Sequence, residues 1–413
     1  MRIAYVRAGS DSYDLKKKGE DMVGIHRLDA AALYAEAEKT TGLTDWGADL
    51  TFREGLDRLV NAIEAMPEAD LLRAPFAAEA TSLLATRLRL QDDGNQHPEV
   101  LEGQIIRPMI VTGAPRSGTT WLYELLALDP ATRAPRDWET ASPWPAPEIA
   151  SFDTDPRIAA RQAVFDAMVK AVPELADIHP WDARMPQECN CFTNLHFVSS
   201  NFWSSYSVPD YLDWLTFNRP GGTFQTHRRV LQQLQWKGPR GRWLLKAPPH
   251  LLMLDELVEA YPDAMIVQTH REPASFVASL ASLIWALRRA SFGADSSLSD
   301  GPTIGREVLL HYEEALERAT KSRQRPEVDS RILDVAFRET RTDPIGTVRR
   351  IYEHFGLEFA PEYEKTLKRH IAAERPTGAD KHRYDPADFG IAKLDIPDRA
   401  PSYRARFGDF LTS

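Results

Sequence analysis

Cysteine is scarce in this chain. Only Cys189 and Cys191 occur among 413 residues. Two thiols one residue apart exclude a disulfide framework and suit a reducing, cytoplasmic setting. Basic charge is also in deficit: 50 Lys plus Arg stand against 60 Asp plus Glu, a formal charge of −10. That excludes sequence-independent nucleic-acid binding, which needs a basic surface, so no nucleic-acid partner is expected. A local basic pocket for a small anion remains compatible. Long apolar runs are missing too. The uncharged run Pro273 to Leu287 falls short of the ~20 residues of a spanning helix. The opening MRIAYVRAGSDSYDLKKK has no apolar run of the secretory kind. No transmembrane segment is expected, and peripheral membrane contact stays open. No internal repeat is visible.

What is present is ordinary for a globular chain: 43% hydrophobic and 27% charged residues, enough to exclude a mostly disordered protein. At ~100–200 residues per domain the length predicts two or three domains. Residues 1–27 read as a flexible arm, with three consecutive lysines and several glycines. Residues 28–100 read as an N-terminal helical region. Leu59, Ile63 and Met66 stand at helical spacing, as do Leu83, Leu84 and Leu88. Asp49 is a candidate helix cap, and QDDGNQHPEV reads as a linker.

The pattern changes after residue 100. IIRPMIVTG, RWLLKAP, AMIVQTH and RILDVAF are short apolar runs with the character of buried strands. Helical stretches stand between and after them: TTWLYELLAL, LMLDELVEAY, SFVASLASLIWAL and TVRRIYEHFGL. Strands alternating with helices predict an α/β domain over 101–413, a parallel sheet flanked by helices, with a helical insert at about 150–236. SFGADSSLSDGPT, residues 291–303, reads as a loop or lid. The aromatic-rich run NFWSSYSVPDYLDWLTF in the insert fits either plain core or an apolar acceptor pocket.

The strongest local signal is Gly113-Ala114-Pro115-Arg116-Ser117-Gly118-Thr119-Thr120, between a strand and a helix. Glycines at this spacing permit a tight turn with inward N–H groups, and the helix N-terminus adds partial positive charge. The loop is P-loop-like. It departs from G-x-x-x-x-G-K-[ST] because Thr119 holds the lysine position and the charge sits at Arg116. AMIVQTH ends in Thr269-His270, where a magnesium-binding loop system would have an acid. A phosphate monoester or phosphosulfate therefore fits better than a magnesium triphosphate. Arg271, at the end of this strand, and Ser279, two turns into the next helix, are candidates for a second phosphate. Glu188-Cys189-Asn190-Cys191 lacks a second ligand pair, so no metal is expected.

With GAPRSGTTW and HREPASFVAS in place, the chain resembles the sulfotransferases that use 3′-phosphoadenosine 5′-phosphosulfate (PAPS), in particular their bacterial branch. HRRVLQQLQW, RWLLKAPPHLL and KHRYDPADFG add to the likeness, which runs from about Pro108 to Gly408. The resemblance implies that Arg116, Ser117, Gly118, Thr119 and Thr120 bind the 5′ side, and Arg271 and Ser279 the 3′-phosphate. It places Trp121 against adenine, with a core tryptophan as the other reading. Lys381 and Arg383 fall where the family closes a basic loop, or else form a solvated turn. Phe337 stands where the family often has tyrosine, so any role of that hydroxyl is lost or moved. The implied reaction is in-line sulfuryl transfer to a hydroxyl or amine of a small-molecule or lipid acceptor, releasing 3′,5′-bisphosphoadenosine (PAP). Arg116 and Lys246 would clamp the leaving phosphate. Glu139 is the first candidate base, His227 the second and His250 the third. The competing expectations are a metal-dependent small-molecule kinase on a related fold and a non-catalytic nucleotide-binding protein.

Overall fold

The computed structural model describes residues 26–171, 181–218, 220–293, 296–373, 385–391 and 399–411. Almost all of the expected arm, together with Lys381 and Arg383, lies outside the described residues.

Five strands form one parallel sheet: β1 (Met109–Gly113), β2 (Thr132–Arg133), β3 (Arg242–Lys246), β4 (Met265–His270) and β5 (Ile332–Ala336). Their order is β2-β3-β1-β4-β5, so the fold is the expected α/β arrangement. β1 lies at the centre, with Met109 in register with Leu244 and with Met265. Every residue of β1 and β4 is buried, which is why both open on continuous apolar stretches, Met109–Val111 and Met265–Val267. Alternate side chains serve opposite faces. Ile110, Leu245 and Ile266 enter one apolar cluster, while Met109, Val111, Leu244 and Val267 enter the other.

The first cluster also takes in Leu56, Ile63 and Leu84 from the N-terminal helices, the insert aromatics Phe202 and Trp203, and Tyr403 near the end of the chain. The N-terminal helices (Ala30–Thr41, Phe52–Ala65 and Ala69–Gln96) thus share a core with one face of the sheet. The second cluster is built largely by the helices Thr119–Ala127, Pro344–His354 and Pro361–Ala373.

Three local expectations are corrected. QDDGNQ is no linker, because the third helix continues through it to Gln96. Tertiary hydrogen bonds from Arg229 to the Leu90 carbonyl (2.5 Å) and from Gln233 to Asp93 (2.5 Å) hold that last stretch. Asp49 accepts from the Thr51 N–H at 3.0 Å and so shapes the turn before the helix at Phe52, without capping it. Much of 291–303 is ordered: the helix Pro273–Phe292 reaches into it, and Asp300 caps the helix Gly301–Ser322 through Thr303 N–H at 2.9 Å.

Two buried imidazoles give the fold an acid sensitivity. Burial pushes His196 and His311 down to about 4. Both are held neutral by hydroxyl or carbonyl partners, Thr226 and Gly221 for His196 and Thr216 for His311. A depressed folded value means that the unfolded chain binds more protons between about pH 6.5 and 4. Their contribution is complete above about pH 6.5 and is lost as the pH falls through that window. Denaturant midpoints measured from pH 7 to 4 should fall, with up to about 1.4 kcal/mol lost per unit for each ring. A flat profile down to pH 4 would contradict this.

Candidate active site

All five parallel strands point the same way, so the loops after Gly113, Lys246 and His270 gather at one edge of the sheet, where ligands bind in open α/β folds. β1 enters the cradle loop at Gly113, whose φ of +135° is open to glycine alone. A Cβ there would stand 2.4 Å from the Thr269 carbonyl oxygen of β4. Gly118, at φ +86°, then turns the chain into the helix Thr119–Ala127. A Cβ on it would meet Thr340 Oγ1 at 2.8 Å and the Phe337 ring at 3.1 Å.

The two predicted anion elements touch. Arg116 adopts φ +62°, a left-handed conformation uncommon for a side-chain-bearing residue. Its guanidinium Nε donates to Ser279 Oγ at 3.0 Å. Its carbonyl accepts from Arg271 Nη1 at 2.6 Å. Arg271 also lies over the Phe337 ring, 4.3 Å from the centroid. Phe337 therefore does work that needs no hydroxyl: it supports the arginine and packs under Gly118. Arg116, Arg271 and Ser279, up to 163 positions apart in sequence, form one cationic cluster at the loop.

Other residues of the loop divide into those facing outward and those fastening it. The Ser117 hydroxyl is buried, bonded to the Ala114 carbonyl and, at 2.6 Å, to Thr269 Oγ1, so it ties the loop to β4. Thr119 is buried at the first turn of the helix. Thr120 Oγ1 accepts from Lys246 Nζ at 3.3 Å. Trp121 is half-buried and stacks on His370, with rings 5.8 Å apart at 24°.

Lys246 closes the other side. It ends β3, is nearly buried, and its ammonium also donates to Glu188 Oε1 at 2.5 Å. Glu188 is placed there by the backbone: Gln187 N–H donates to the Pro135 carbonyl (2.8 Å), and Cys189 N–H to the Lys246 carbonyl (2.9 Å). Its side chain keeps 30% exposure. Sequence reading missed Glu188 as a site residue. Nothing in its spacing marks it, because the insert delivers it to Lys246 from 58 positions away.

The expected bases fare differently. Glu139 is fully buried; its oxygens take Arg133 Nη1 (2.9 Å), Arg133 Nη2 (2.5 Å) and the Arg136 N–H (2.9 Å). The carboxylate caps its own short helix and neutralises Arg133, which leaves no open side for an acceptor. Glu139→Gln should therefore act on stability, costing about 3–5 kcal/mol by stranding the buried Arg133, as chemical denaturation would show. His227 is fully buried, with Nδ1 2.7 Å from the Tyr261 hydroxyl. His250 is buried at 3% exposure and forms part of the wall of a small open cleft. Val198, Leu215, Phe224, Leu252 and Met253 give this cleft its apolar lining. Two segments that build it, at Asn190 and Pro249, follow Glu188 and Lys246 closely in the chain. Most aromatics of the insert, Phe202 and Trp203 among them, are core.

The kinase alternative would need a carboxylate available for magnesium near the strand ends. Asp334 of β5 is committed: Arg323 bonds both its oxygens and His270 Nε2 lies 2.8 Å away, and these partners hold it down to about 2 against its burial.

Comparison with known proteins decides the class. The profile of the sulfotransferase family matches residues 108–361. The chain belongs to the sulfotransferase family. Among solved structures it is similar to sulfotransferase STF1 of Mycobacterium tuberculosis H37Rv, 30% identical with a TM-score of 0.75, covering 92% of this chain and 99% of that one. It is likewise similar to STF9 of Mycobacterium avium, 27% identical with a TM-score of 0.79, covering 94% and 97%. A curated relative, the omega-hydroxy-beta-dihydromenaquinone-9 sulfotransferase Stf3 of Mycobacterium bovis, is 24% identical over 277 residues. That match spans 64% of this sulfotransferase and 66% of the relative's length. Among the described residues, no helix is long and apolar enough to cross a membrane.

Proposed function

We propose that this sulfotransferase moves a sulfuryl group from PAPS to the hydroxyl of an apolar, lipid-like acceptor and releases PAP, in the cytoplasm. The observation that carries the donor assignment is the contact between Arg116 and Ser279, which joins the two anion elements into one cluster. Arg116, Arg271, Ser279, Thr120 and Lys246 supply charged and hydroxyl donors, as two phosphate groups on one nucleotide require. Trp121 offers its ring beside them for the base. The acceptor class rests on the apolar cleft and on the relative whose name specifies a hydroxyl-bearing dihydromenaquinone.

In this reading Glu188 takes over the role first expected of Glu139. It is the partly open carboxylate at Lys246, and it receives the acceptor proton as the oxygen attacks sulfur. Lys246 and Arg116 stabilise charge developing on the leaving phosphate. Lys246 bridges Thr120 and Glu188, so it can align the base with the loop. In-line geometry then depends on positioning, as in phosphoryl transfer.

The test is PAP release from PAPS with a panel of long-chain alcohols, phenols and amines, beside thermal shift with PAP and with ATP plus magnesium. Turnover on an apolar alcohol and stabilisation by PAP support the reading. Stabilisation by ATP plus magnesium alone would overturn it in favour of a kinase. PAP binding without turnover on any acceptor would favour a non-catalytic protein.

A further inference from the structure

Behind Glu188 lies a cluster to which the proposed transfer reaction assigns no role. Cys189, His227 and His250 come from three separate segments: the insert loop, the helix Thr223–Trp236 and the turn Pro248–Met253 that follows β3. One ligand atom from each, a thiol sulfur and two imidazole nitrogens, lies within 4.8 Å of the others. Cys189 and His227 have no exposed surface and His250 only 3%. Phe192 packs against His227, and Phe224 against both rings.

The hydrogen bonds leave one atom unexplained. Cys189 Sγ and His250 Nε2 lie 3.3 Å apart, and His227 Nδ1 is 2.7 Å from the Tyr261 hydroxyl. His227 Nε2 is buried without a hydrogen-bond partner. An unpaired polar atom in so dry a place costs about 1–3 kcal/mol, so it calls for a ligand or a reason. A histidine that binds a metal through Nε2 is oriented by a hydrogen bond at Nδ1, and Tyr261 provides that bond.

We propose that Cys189, His227 and His250 form a zinc site, with Tyr261 as the outer partner of His227. One thiolate and two imidazoles suit a borderline-soft divalent ion, and a water entering from the cleft that His250 lines would complete a tetrahedral set. Burial keeps both imidazoles neutral, with His250 pushed down to about 3, so no proton must leave them before they ligate. Burial also raises the Cys189 thiol, which stays protonated without metal. Binding forms a Zn–S bond and breaks the S–H bond; the sulfur keeps the electron pair and the proton passes to solvent. Sequence reading set aside Cys189 and Cys191 for lack of a second ligand pair, and the fold supplies that pair to Cys189 alone. The metal would pin the segment carrying Glu188 to the wall of the cleft.

The full chain, stripped with a chelator, is titrated with zinc chloride in weak buffer and, separately, with cobalt chloride. The expected result is stoichiometric uptake, about one proton released per zinc at pH 7.5, and a thiolate-to-cobalt charge-transfer band. Cys189→Ser should abolish the band and weaken zinc binding by ~100-fold, while Cys191→Ser should retain both. No uptake at micromolar metal, uptake without the thiolate band, or a band that persists in Cys189→Ser would overturn the proposal and leave a hydrogen-bonded network. The wild-type cobalt spectrum decides the matter even where a variant fails to fold. None of these readouts depends on sulfuryl transfer.

Discussion

Glu188→Gln should lower sulfuryl transfer by ~100-fold or more while PAP binds nearly as before. The substitution keeps the shape of the side chain and removes its basicity. Lys246 Nζ, 2.5 Å from Glu188 Oε1, can still donate to the amide oxygen, so β3 and the cradle should stay in place. The loss should appear in kcat more than in KM, because proton removal belongs to the transition state. Glu139→Gln gives the contrasting outcome: reduced stability, with transfer per folded molecule largely retained. Normal turnover in Glu188→Gln, or a selective collapse of turnover in folded Glu139→Gln, would return the base to Glu139. The two carboxylates differ in what surrounds them. Glu139 has no exposed surface and three N–H donors, whereas the Glu188 side chain is 30% exposed.

Arg271→Ala should remove most of the thermal stabilisation that PAP confers. A ligand at a hundred times its dissociation constant adds ~2.7 kcal/mol. Loss of one charge-assisted hydrogen bond to phosphate removes ~1.5–3 kcal/mol of affinity, or about 10–100-fold. Arg271 has a second role that should add to the effect. It donates to the Arg116 carbonyl at 2.6 Å and so helps hold Arg116 at φ +62°. Calorimetry with PAP checks both. Arg271→Lys should restore charge but not the forked contact, and should recover only part of the affinity. Unchanged PAP affinity in Arg271→Ala would remove the 3′-phosphate assignment.

Much of the fold was legible because its signals are local. The runs of β1, β3, β4 and β5 each hold two or three consecutive apolar residues, and helical periodicity separates them. β2 was missed because a two-residue strand has no periodicity to read. The QDDGNQ helix was missed because Gly and Asn favour a turn locally, and hydrogen bonds from Arg229 and Gln233 outweigh that preference. Arg116, Arg271 and Ser279, which the fold brings into contact, were legible as candidates for an anion site because glycine spacing, a strand end and a helix start are each common at such sites.

The sequence by itself determined the class of sheet, the place and character of the anion loop, and the absence of a lysine in it. These depend on backbone conformation and on residue types within a few positions of one another. The tertiary structure alone decided which carboxylates are paired with which cations, and where the buried cluster forms. Glu139 is paired with Arg133 in the interior, and Glu188 meets Lys246. Cys189 met His227 and His250 only because the insert, the helix Thr223–Trp236 and the turn after β3 pack against one another. Side-chain chemistry of this kind depends on desolvation and on partners dozens of residues away, and neither is present in the order of residues along the chain.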